Sequence, residues 1–566
     1  MFRKWGAFFA VIALGLCLAC IAAAPPAPRA VDTPPSEFSS ARAMAHVRMI
    51  AQKPHPTGSA ENAKIRTYLQ GRLEGLGLEV RTQTSSLGPR ALARLNRWSG
   101  QNQAEQEIHN VIGVLPGTDR TKPALLLMAH HDSVWGSPAS ADATLGLSSI
   151  LEILRAVRAD GPAPRDIIVL FTDAEELGLV GARHFFKEGP LSEKVGAIIN
   201  FEARGAGGTA NMFQTSAGNG NLAALYARVV KHPSTSSLSV FVYNALPNDT
   251  DLTPALEKDY VAYNIANIGR PEYYHSPKND IASLEEGTLQ HMGSQGLDLT
   301  RALLLAQDFP APKTDAVFFD LFGFFTVIYA PLWGWIFIAL GAVFSVFSLR
   351  SVSGGARAII NGGGRGLAFL VLCGVFLYGL NMAAGTGGRA GYYDGLAAIG
   401  KLHWLAALGA CAVFIFIFGG KTYGPRERFG AVLPLFVLAV IGQLLAPTAA
   451  YFLTLAVMLC GLASLMARES NQAPRRIWLF MAGALAVLVA GYMLSLSHLL
   501  LLGVGPDMLA VAALPAAVMA AALLPFCSGL GAKARTWLAA ACLIAALCLA
   551  LWIRLDPIAV TVPLYS

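Results

Sequence analysis

From Phe322 onward the chain is dominated by apolar segments, roughly 322–348, 366–384, 403–419, 430–446, 448–466, 477–500, 508–526 and 536–553, separated by short polar connections. Each can cross a hydrocarbon core of ~30 Å as a helix. Lipid offers the backbone no hydrogen bonds, so every N–H and C=O must be satisfied inside its own segment. These segments predict an all-α, polytopic membrane domain of about eight transmembrane helices over 320–560. Charges on the connections orient it. Arg350, Arg357, Arg365, Lys421, Arg426, Arg428, Arg468, Arg475, Arg476, Lys533 and Arg535 fall on one set of alternate connections. The other set and the tail carry only Arg389, Lys401 and Arg554. The positive-inside rule places the first set in the cytoplasm. The residues before 322 are then expected on the non-cytoplasmic side.

The N-terminus agrees with export. Arg3 and Lys4 precede an apolar run from Phe8 to Ala24, and a Pro-rich stretch follows from Pro25 to Pro35. This reads as a signal peptide or a signal anchor over 1–30. Ala22-Ala23-Ala24 resembles a cleavage site, but Pro25 is a poor neighbour for cutting. Cys20 lacks a lipobox, because Cys17 stands where leucine is expected. A retained anchor is the favoured reading.

Composition bounds the rest. Hydrophobic residues make up 54% and charged residues 14% of the 566 positions, a balance shifted toward membrane proteins. The net charge of +7 arises after residue 322, where fourteen Lys and Arg face five Asp and Glu. It is a property of the membrane half and does not argue for a nucleic-acid partner. All eight cysteines lie in or beside apolar stretches, and none occurs between residues 21 and 372. A disulfide framework or thiolate zinc site is thereby excluded from that segment, so a metal there must use His and carboxylates.

Residues 36–310 alternate between strand and helix patterns. Leu125 to Ala129, Ile167 to Phe171 and Ala197 to Phe201 are short apolar runs ending in polar residues. Such runs are typical of parallel strands covered on both faces. Leu145 to Val157, between the first two, has apolar residues at helical spacing. An α/β domain with a mainly parallel central sheet flanked by helices is expected. In such folds chemistry gathers at the carboxyl ends of the strands.

Potential ligands stand at those ends. His130 and Asp132 follow the first run; a neutral His can bind a metal through one nitrogen while the other is oriented by a carboxylate or carbonyl. His131 should point to the opposite side and is read as structural. Asp142 lies in a turn entering a helix, where it can bridge two cations or simply cap the helix. Glu175 and Glu176 follow the second run. Adjacent acids in one apolar site repel unless cations are present, and otherwise they are solvated loop acids. Glu202 follows the third run, with a salt bridge to Arg204 as the competing idea. His275 is a ligand candidate or a loop histidine. Three strand-end placements with a His at either end of the array point to a metal site.

The segment from about 45 to 305 resembles the co-catalytic zinc aminopeptidases, the family containing aminopeptidase Y and the bacterial leucyl aminopeptidases. The likeness rests on His130-His131-Asp132-Ser133, on Glu175-Glu176-Leu177-Gly178-Leu179-Val180-Gly181, on Pro54 to Asn62 and on Asn110-Val111-Ile112-Gly113. The family's Gly-Ala-Asp-Asp-x-Ala-Ser-Gly segment is degraded here to Ser140-Ala141-Asp142-Ala143-Thr144-Leu145-Gly146. With its anchor and multi-spanning tail, the whole chain looks like the endoplasmic reticulum metallopeptidase and vacuolar membrane protease branch, to which Phe201-Glu202-Ala203-Arg204-Gly205 is also similar.

The resemblance implies a zinc-exopeptidase-like fold and two divalent ions, Zn2+ being expected. One would be held by His130 and Glu202, the other by Glu176 and His275, with Asp142 bridging. Glu175 would be the general base, and Asp132 would support His130. Asp249, Asp251, Tyr274 and Arg204 are candidates for contact with a peptide substrate. The expected activity is removal of N-terminal residues by a membrane-anchored zinc metallopeptidase.

Three other outcomes stay open. A carboxypeptidase would need a cation such as Arg204 or Arg270 for the substrate carboxylate, and a glutaminyl cyclase would use a single zinc. An inactive scaffold or transporter is the third. Transport usually needs ionisable groups at mid-membrane, whereas His403, His498 and Asp507 lie only near span ends. The Gly and Ala abundance of the spans suits close helix packing. The Ala- and Arg-rich composition suggests a bacterial inner membrane with a periplasmic domain; a eukaryotic host would make that domain lumenal.

The charge pattern is checked by reporter fusions. A reporter that fluoresces only in the cytoplasm should be bright when fused after residue 470 and dark when fused after residue 389.

Overall fold

The computed structural model describes residues 2–258, 260–350, 355–387, 392–467 and 475–556. Arg389 and Arg468, which enter the charge argument, lie outside the described residues. The described residues divide into two compact units, one formed by Ala24–Ile328 and the other by the N-terminal helix together with residues 329–556.

The first unit is built on seven strands: β1 (Glu79–Ser86), β2 (Glu107–Leu115), β3 (Ala124–His130), β4 (Ile167–Thr172), β5 (Val195–Ala203), β6 (Gly207–Thr215) and β7 (Val261–Gly269). Their order in the sheet is β1-β2-β4-β3-β5-β7-β6. The three apolar runs seen in the sequence are β3, β4 and β5. With β7 they form the parallel centre, while β1, β2 and β6 add antiparallel edges. All residues of β3 and β4 are buried, as expected for strands with both faces covered.

Strand alternation divides the core into two layers. Leu125, Leu127 and Ala129 enter one hydrophobic cluster with residues of the helices Thr144–Ala159 and Glu286–Leu305. Leu126 and Met128 enter a second on the opposite face, with Ala182, Phe185 and Phe186 of the helix Val180–Glu188. The helix Thr144–Ala159 lies close against the sheet. A Cβ on Gly146 would come within 2.9 Å of the Phe201 carbonyl oxygen and 3.0 Å of the Ala129 Cβ. This contact sets how near the helix N-terminus comes to the ends of β3 and β5.

Among the described residues of the second unit, seven helices are long and apolar enough to cross a membrane: Trp5–Ala23, Ala356–Ala383, Ile399–Phe418, Pro425–Leu445, Ile477–Val504, Leu509–Phe526 and Ala532–Leu555. Two apolar helices are shorter, Trp333–Ser348 and Tyr451–Met466. The segment expected from 322 starts differently. Phe322 and Gly323 adopt positive φ, Thr326–Tyr329 pairs as a strand with Val317–Asp320, and the helix begins only at Trp333. The N-terminal helix crosses Arg475–Val504 at small residues. A Cβ on Gly15 would lie 3.1 Å from the Ala490 Cβ, and one on Gly491 would lie 3.0 Å from the Leu18 Cβ. Small residues permit such close crossings in lipid, where apolar burial alone gives helices little reason to associate.

Substituting Gly146 with Val should destabilise the first unit by about 1–3 kcal/mol, because neither the Phe201 carbonyl nor the sheet behind it can move away. Gly71→Ala, in a helix where an added Cβ meets nothing within 4 Å, should instead raise stability by about 0.4–1 kcal/mol. Thermal unfolding of the purified protein distinguishes the two.

Candidate metal centre

β3 delivers His130 to the carboxyl end of the sheet, fully buried. The His130 Nδ1 faces the Asp132 main-chain carbonyl at 2.9 Å. Because a carbonyl only accepts, Nδ1 carries the proton and Nε2 presents its lone pair. That lone pair faces Asp142 Oδ1 at 3.1 Å and Glu202 Oε2 at 3.8 Å. On the other side of Asp142, its Oδ2 lies 3.2 Å from His275 Nε2, which is 3.1 Å from Glu176 Oε2. The five residues named from the sequence therefore meet in one place. They form two overlapping groups, His130–Asp142–Glu202 and Asp142–Glu176–His275, with Asp142 common to both.

Each ligand candidate is held by a local device. Asp142 does not cap the helix that follows it: the N-cap position is Ala143, and no side chain caps it. Its loop is instead tied to the His275 loop through Asn279. The Asn279 side-chain oxygen accepts from the Ser140 hydroxyl at 2.9 Å and the Ala141 N–H at 3.0 Å, and its main-chain oxygen accepts from the Ser140 N–H at 3.0 Å. Ser140, a departure from the family pattern, thus carries part of this tie. The Tyr274 ring stacks on the His275 ring at 3.7 Å.

Asp132 has a broader role than support of His130. Its carboxylate stands 3.6 Å from His130 Nδ1 and accepts the main-chain N–H groups of Glu175 and Glu176 at 3.0 and 3.2 Å. One acid so fixes both the first histidine and the turn bearing the paired glutamates. Sequence reasoning assigned no role to Thr57 or Asn279. The Thr57 hydroxyl donates to Asp173 at 2.9 Å and lies 3.4 Å from Asp132. Each is a short polar residue, and only their partners reveal the purpose.

The remaining candidates separate. Asp251 is buried and accepts from the Thr172 hydroxyl at the end of β4, whereas Asp249 is exposed on its loop. Arg204 is half-buried, its main-chain N–H donating to Asn267 at 2.8 Å. Arg270 is exposed, with its guanidinium donating to the Ser283 carbonyl at 3.1 Å. His131 turns away as expected, with Asn62 and the His109 carbonyl at its two ring nitrogens.

Electrostatics test whether a cation suits this cluster. Burial pushes the Glu202 carboxyl up to about 8, with His130 opposing and Asp142 adding to the shift. Burial likewise holds Glu175 well above the usual carboxylate range and raises Glu176. Burial also opposes ionisation of Asp142, but positive charge at that place, supplied by His130 and His275 as imidazolium when no metal is bound, holds that carboxyl below its ordinary value. Glu202 Oε1 is buried and makes no hydrogen bond to any described residue. Acids packed this closely lack positive charge, and lone-pair nitrogens facing carboxylate oxygens need a cation between them. The donor set, nitrogen and oxygen without sulfur, suits a divalent metal.

Residues 110–300 match the model of the family described as Peptidase family M28. A vacuolar membrane protease of Eremothecium gossypii is 30% identical over 327 residues, covering 54% of this chain and 32% of its own length. Endoplasmic reticulum metallopeptidase 1 of Rattus norvegicus is 30% identical over 312 residues, covering 52% of this chain and 34% of its own. The matched stretch spans about a third of the length of these relatives. Among solved structures, an aminopeptidase from Aneurinibacillus sp. strain AM-1 aligns over 50% of this chain and 98% of its own, at 13% identity and a TM-score of 0.39. Residues 110–300 are thus similar to family M28 and to proteins named as membrane protease and metallopeptidase, and the described residues include helices apolar enough to cross a membrane.

Removing the Asn279 side chain should loosen the Asp142 and His275 loops together. Asn279→Ala is expected to weaken metal affinity by about 10–100-fold, the usual effect of losing an outer-shell partner. Competition against a chelator of known affinity measures it.

Proposed function

We propose that this M28 domain is an aminopeptidase that uses two divalent ions, Zn2+ in the first instance, to release N-terminal residues from peptides. The observation that carries the reading is Asp142, whose two oxygens face two different imidazoles. His130, Asp142 and Glu202 would hold one ion, and Asp142, Glu176 and His275 the other; a single-zinc cyclase would have no use for both groups. Bound there, the ions would supply Lewis acidity toward a carbonyl and lower the pKa of water toward neutrality.

The chain's own residues do the rest. Glu175 is held by Asp132 through its main-chain N–H, beside both groups of ligand candidates, where a carboxylate can take and return a proton. Its carboxylate would accept the proton of the attacking water and pass it to the leaving amine. Tyr274, stacked on His275, would flank the bound peptide. Asp132, Glu175 and Asp251 add to the three acidic ligands, so the site stays acid-rich even with two divalent cations counted. That charge balance favours a substrate's ammonium group over its carboxylate, and therefore an aminopeptidase over a carboxypeptidase. The loop charges favour a multi-pass protein whose peptidase domain lies on the non-cytoplasmic side.

Glu175→Gln should keep its metal content and lose about 10²–10⁴-fold in kcat, measured by leucine p-nitroanilide hydrolysis beside elemental analysis. A chelator should abolish turnover, and readdition of Zn2+ should restore it. Blocking the substrate amine by N-acetylation should prevent cleavage; equal cleavage of the blocked peptide would overturn the aminopeptidase reading.

A further inference from the structure

The helix Pro89–Ser99 lies between β1 and β2 in the chain and carries no acidic residue. Its Ala91 and Leu95, spaced to share one helical face, are buried. They pack with Leu87, Ile108 of β2, Ala174 and Leu177 in one apolar cluster, against which Trp135 is partly buried. Ala174 and Leu177 bracket Glu175 and Glu176, and Trp135 follows Asp132 by three residues. The helix is therefore seated on the turn that bears both glutamates of the metal centre. Arg94 completes the seat, its Nη1 donating to the Glu176 main-chain carbonyl at 3.0 Å.

The outward face of this helix presents Arg90, Arg94 and Arg97, all exposed. Arginine ion pairs in the first unit form elsewhere, at Arg29, Arg42, Arg120, Arg155 and Arg301. Among the described residues, no acid pairs with the three arginines of this face. Charges that support a helix come as opposite signs four residues apart, and this face has one sign only. Arg90 also stands in the first turn, where the helix dipole disfavours a cation. The charge of the face thus does little for the helix itself. The bond to Glu176 leaves the Nε and Nη2 donors of Arg94, a fork that matches a carboxylate.

Topology limits which carboxylate that is. In the sheet order β2-β4-β3-β5, the helix sits on the β2 flank of the centre and Glu202 stands on the β5 flank. Arg94 reaches in from β2 to the carbonyl of Glu176, just beyond β4. Two strand spacings separate β5 from β4, about 10 Å, which roughly three extended residues cross.

We propose that Arg94 binds the C-terminal carboxylate of the substrate, so that this site selects di- and tripeptides with a free C-terminus. The proposal rests on the aminopeptidase reading above. The N-terminal ammonium is drawn to the acids, and the one or two residues after the scissile bond run toward the helix. Arg94 forms charge-assisted hydrogen bonds with the carboxylate at their end, while Arg90 and Arg97 add to the positive field along the same face. An acid-rich centre beside a basic rim thus matches the two opposite charges of a short peptide.

The test uses purified full-length protein loaded with Zn2+ and three substrates. These are leucyl-glycyl-glycine, the same peptide as its C-terminal amide, and leucyl-glycyl-aspartic acid α-amide, whose carboxylate is on a side chain. For wild type, kcat/KM on the free acid should exceed that on the glycine amide by about 10–100-fold, the usual range for hydrogen bonds to a charged group. Arg94→Gln should bring that ratio to about one, chiefly by raising KM for the free acid. Arg94→Lys, which keeps the charge and loses the fork, should retain part of the preference. Elemental analysis should find the zinc content of both variants unchanged. Three results overturn the proposal. One is a wild-type ratio near one. Another is a preference that follows the aspartate side chain in place of the terminus. The third is an Arg94→Gln enzyme that loses zinc and activity equally on both glycine peptides, which would make Arg94 only a support for the Glu176 turn. If wild type releases leucine from none of the three, the aminopeptidase reading fails and takes this proposal with it. If it releases leucine without regard to the terminus, the carboxylate site fails alone.

Discussion

Asp142 sits between two imidazoles and offers one oxygen to each, and the domain is organised around keeping it there. A carboxylate in that position is worth burying only if positive charge shares the space, since a buried lone acid would take up a proton instead. Glu176 and Glu202 stand beside the same imidazoles, so the like-charge problem is met three times over within a few ångströms. The surrounding structure answers it in two ways. It supplies hydrogen bonds to the loop of Asp142 and to the turn of Glu175 and Glu176, and it leaves the candidate ligand atoms facing one another across a space suited to cations.

That support comes from distant parts of the chain. Asp132 grips the turn of Glu175 and Glu176, and Thr57 in turn braces Asp132 and Asp173. Asn279 binds the Asp142 loop to the loop of His275. The close seat of Gly146 on β3 and β5 sets the depth at which Asp142 enters. None of these groups needs to touch a substrate to matter. Each removes freedom from a ligand, and a site of several charged ligands tolerates little freedom, because small displacements change both repulsion and the geometry open to a metal. A polar row from Asn200 through Asn264 to Gln214 and Thr250 extends the same principle across the neighbouring strands.

The membrane half obeys a different rule. Its helices carry few polar groups, so their contacts depend on shape, as at the crossing of Gly15 and Gly491. The departure at residues 322–332 follows from the same physics at its limit. Apolar content alone marked a span from Phe322, but the positive φ at Phe322 and Gly323 turns the chain, and the strand Thr326–Tyr329 finds backbone partners in Val317–Asp320. Hydropathy reports the environment that a segment tolerates and is silent on the partner its backbone takes.

Much of the first unit was legible one residue at a time. The runs that became β3, β4 and β5 are apolar on both faces, and their ends placed His130, Glu175, Glu176 and Glu202 on one rim, because parallel strands share a direction. The antiparallel edges β1, β2 and β6 were not legible, since edge pairing depends on neighbours far along the chain. The five ligand candidates could be named from residue type and strand ends. Whether Asp142 caps a helix or bridges two histidines could not, and neither could the tasks of Thr57 and Asn279 or the separation of buried Asp251 from exposed Asp249. Periodicity and residue chemistry are local and can be read along a chain. A hydrogen bond between residues 140 and 279 exists only after the sheet has brought those residues together.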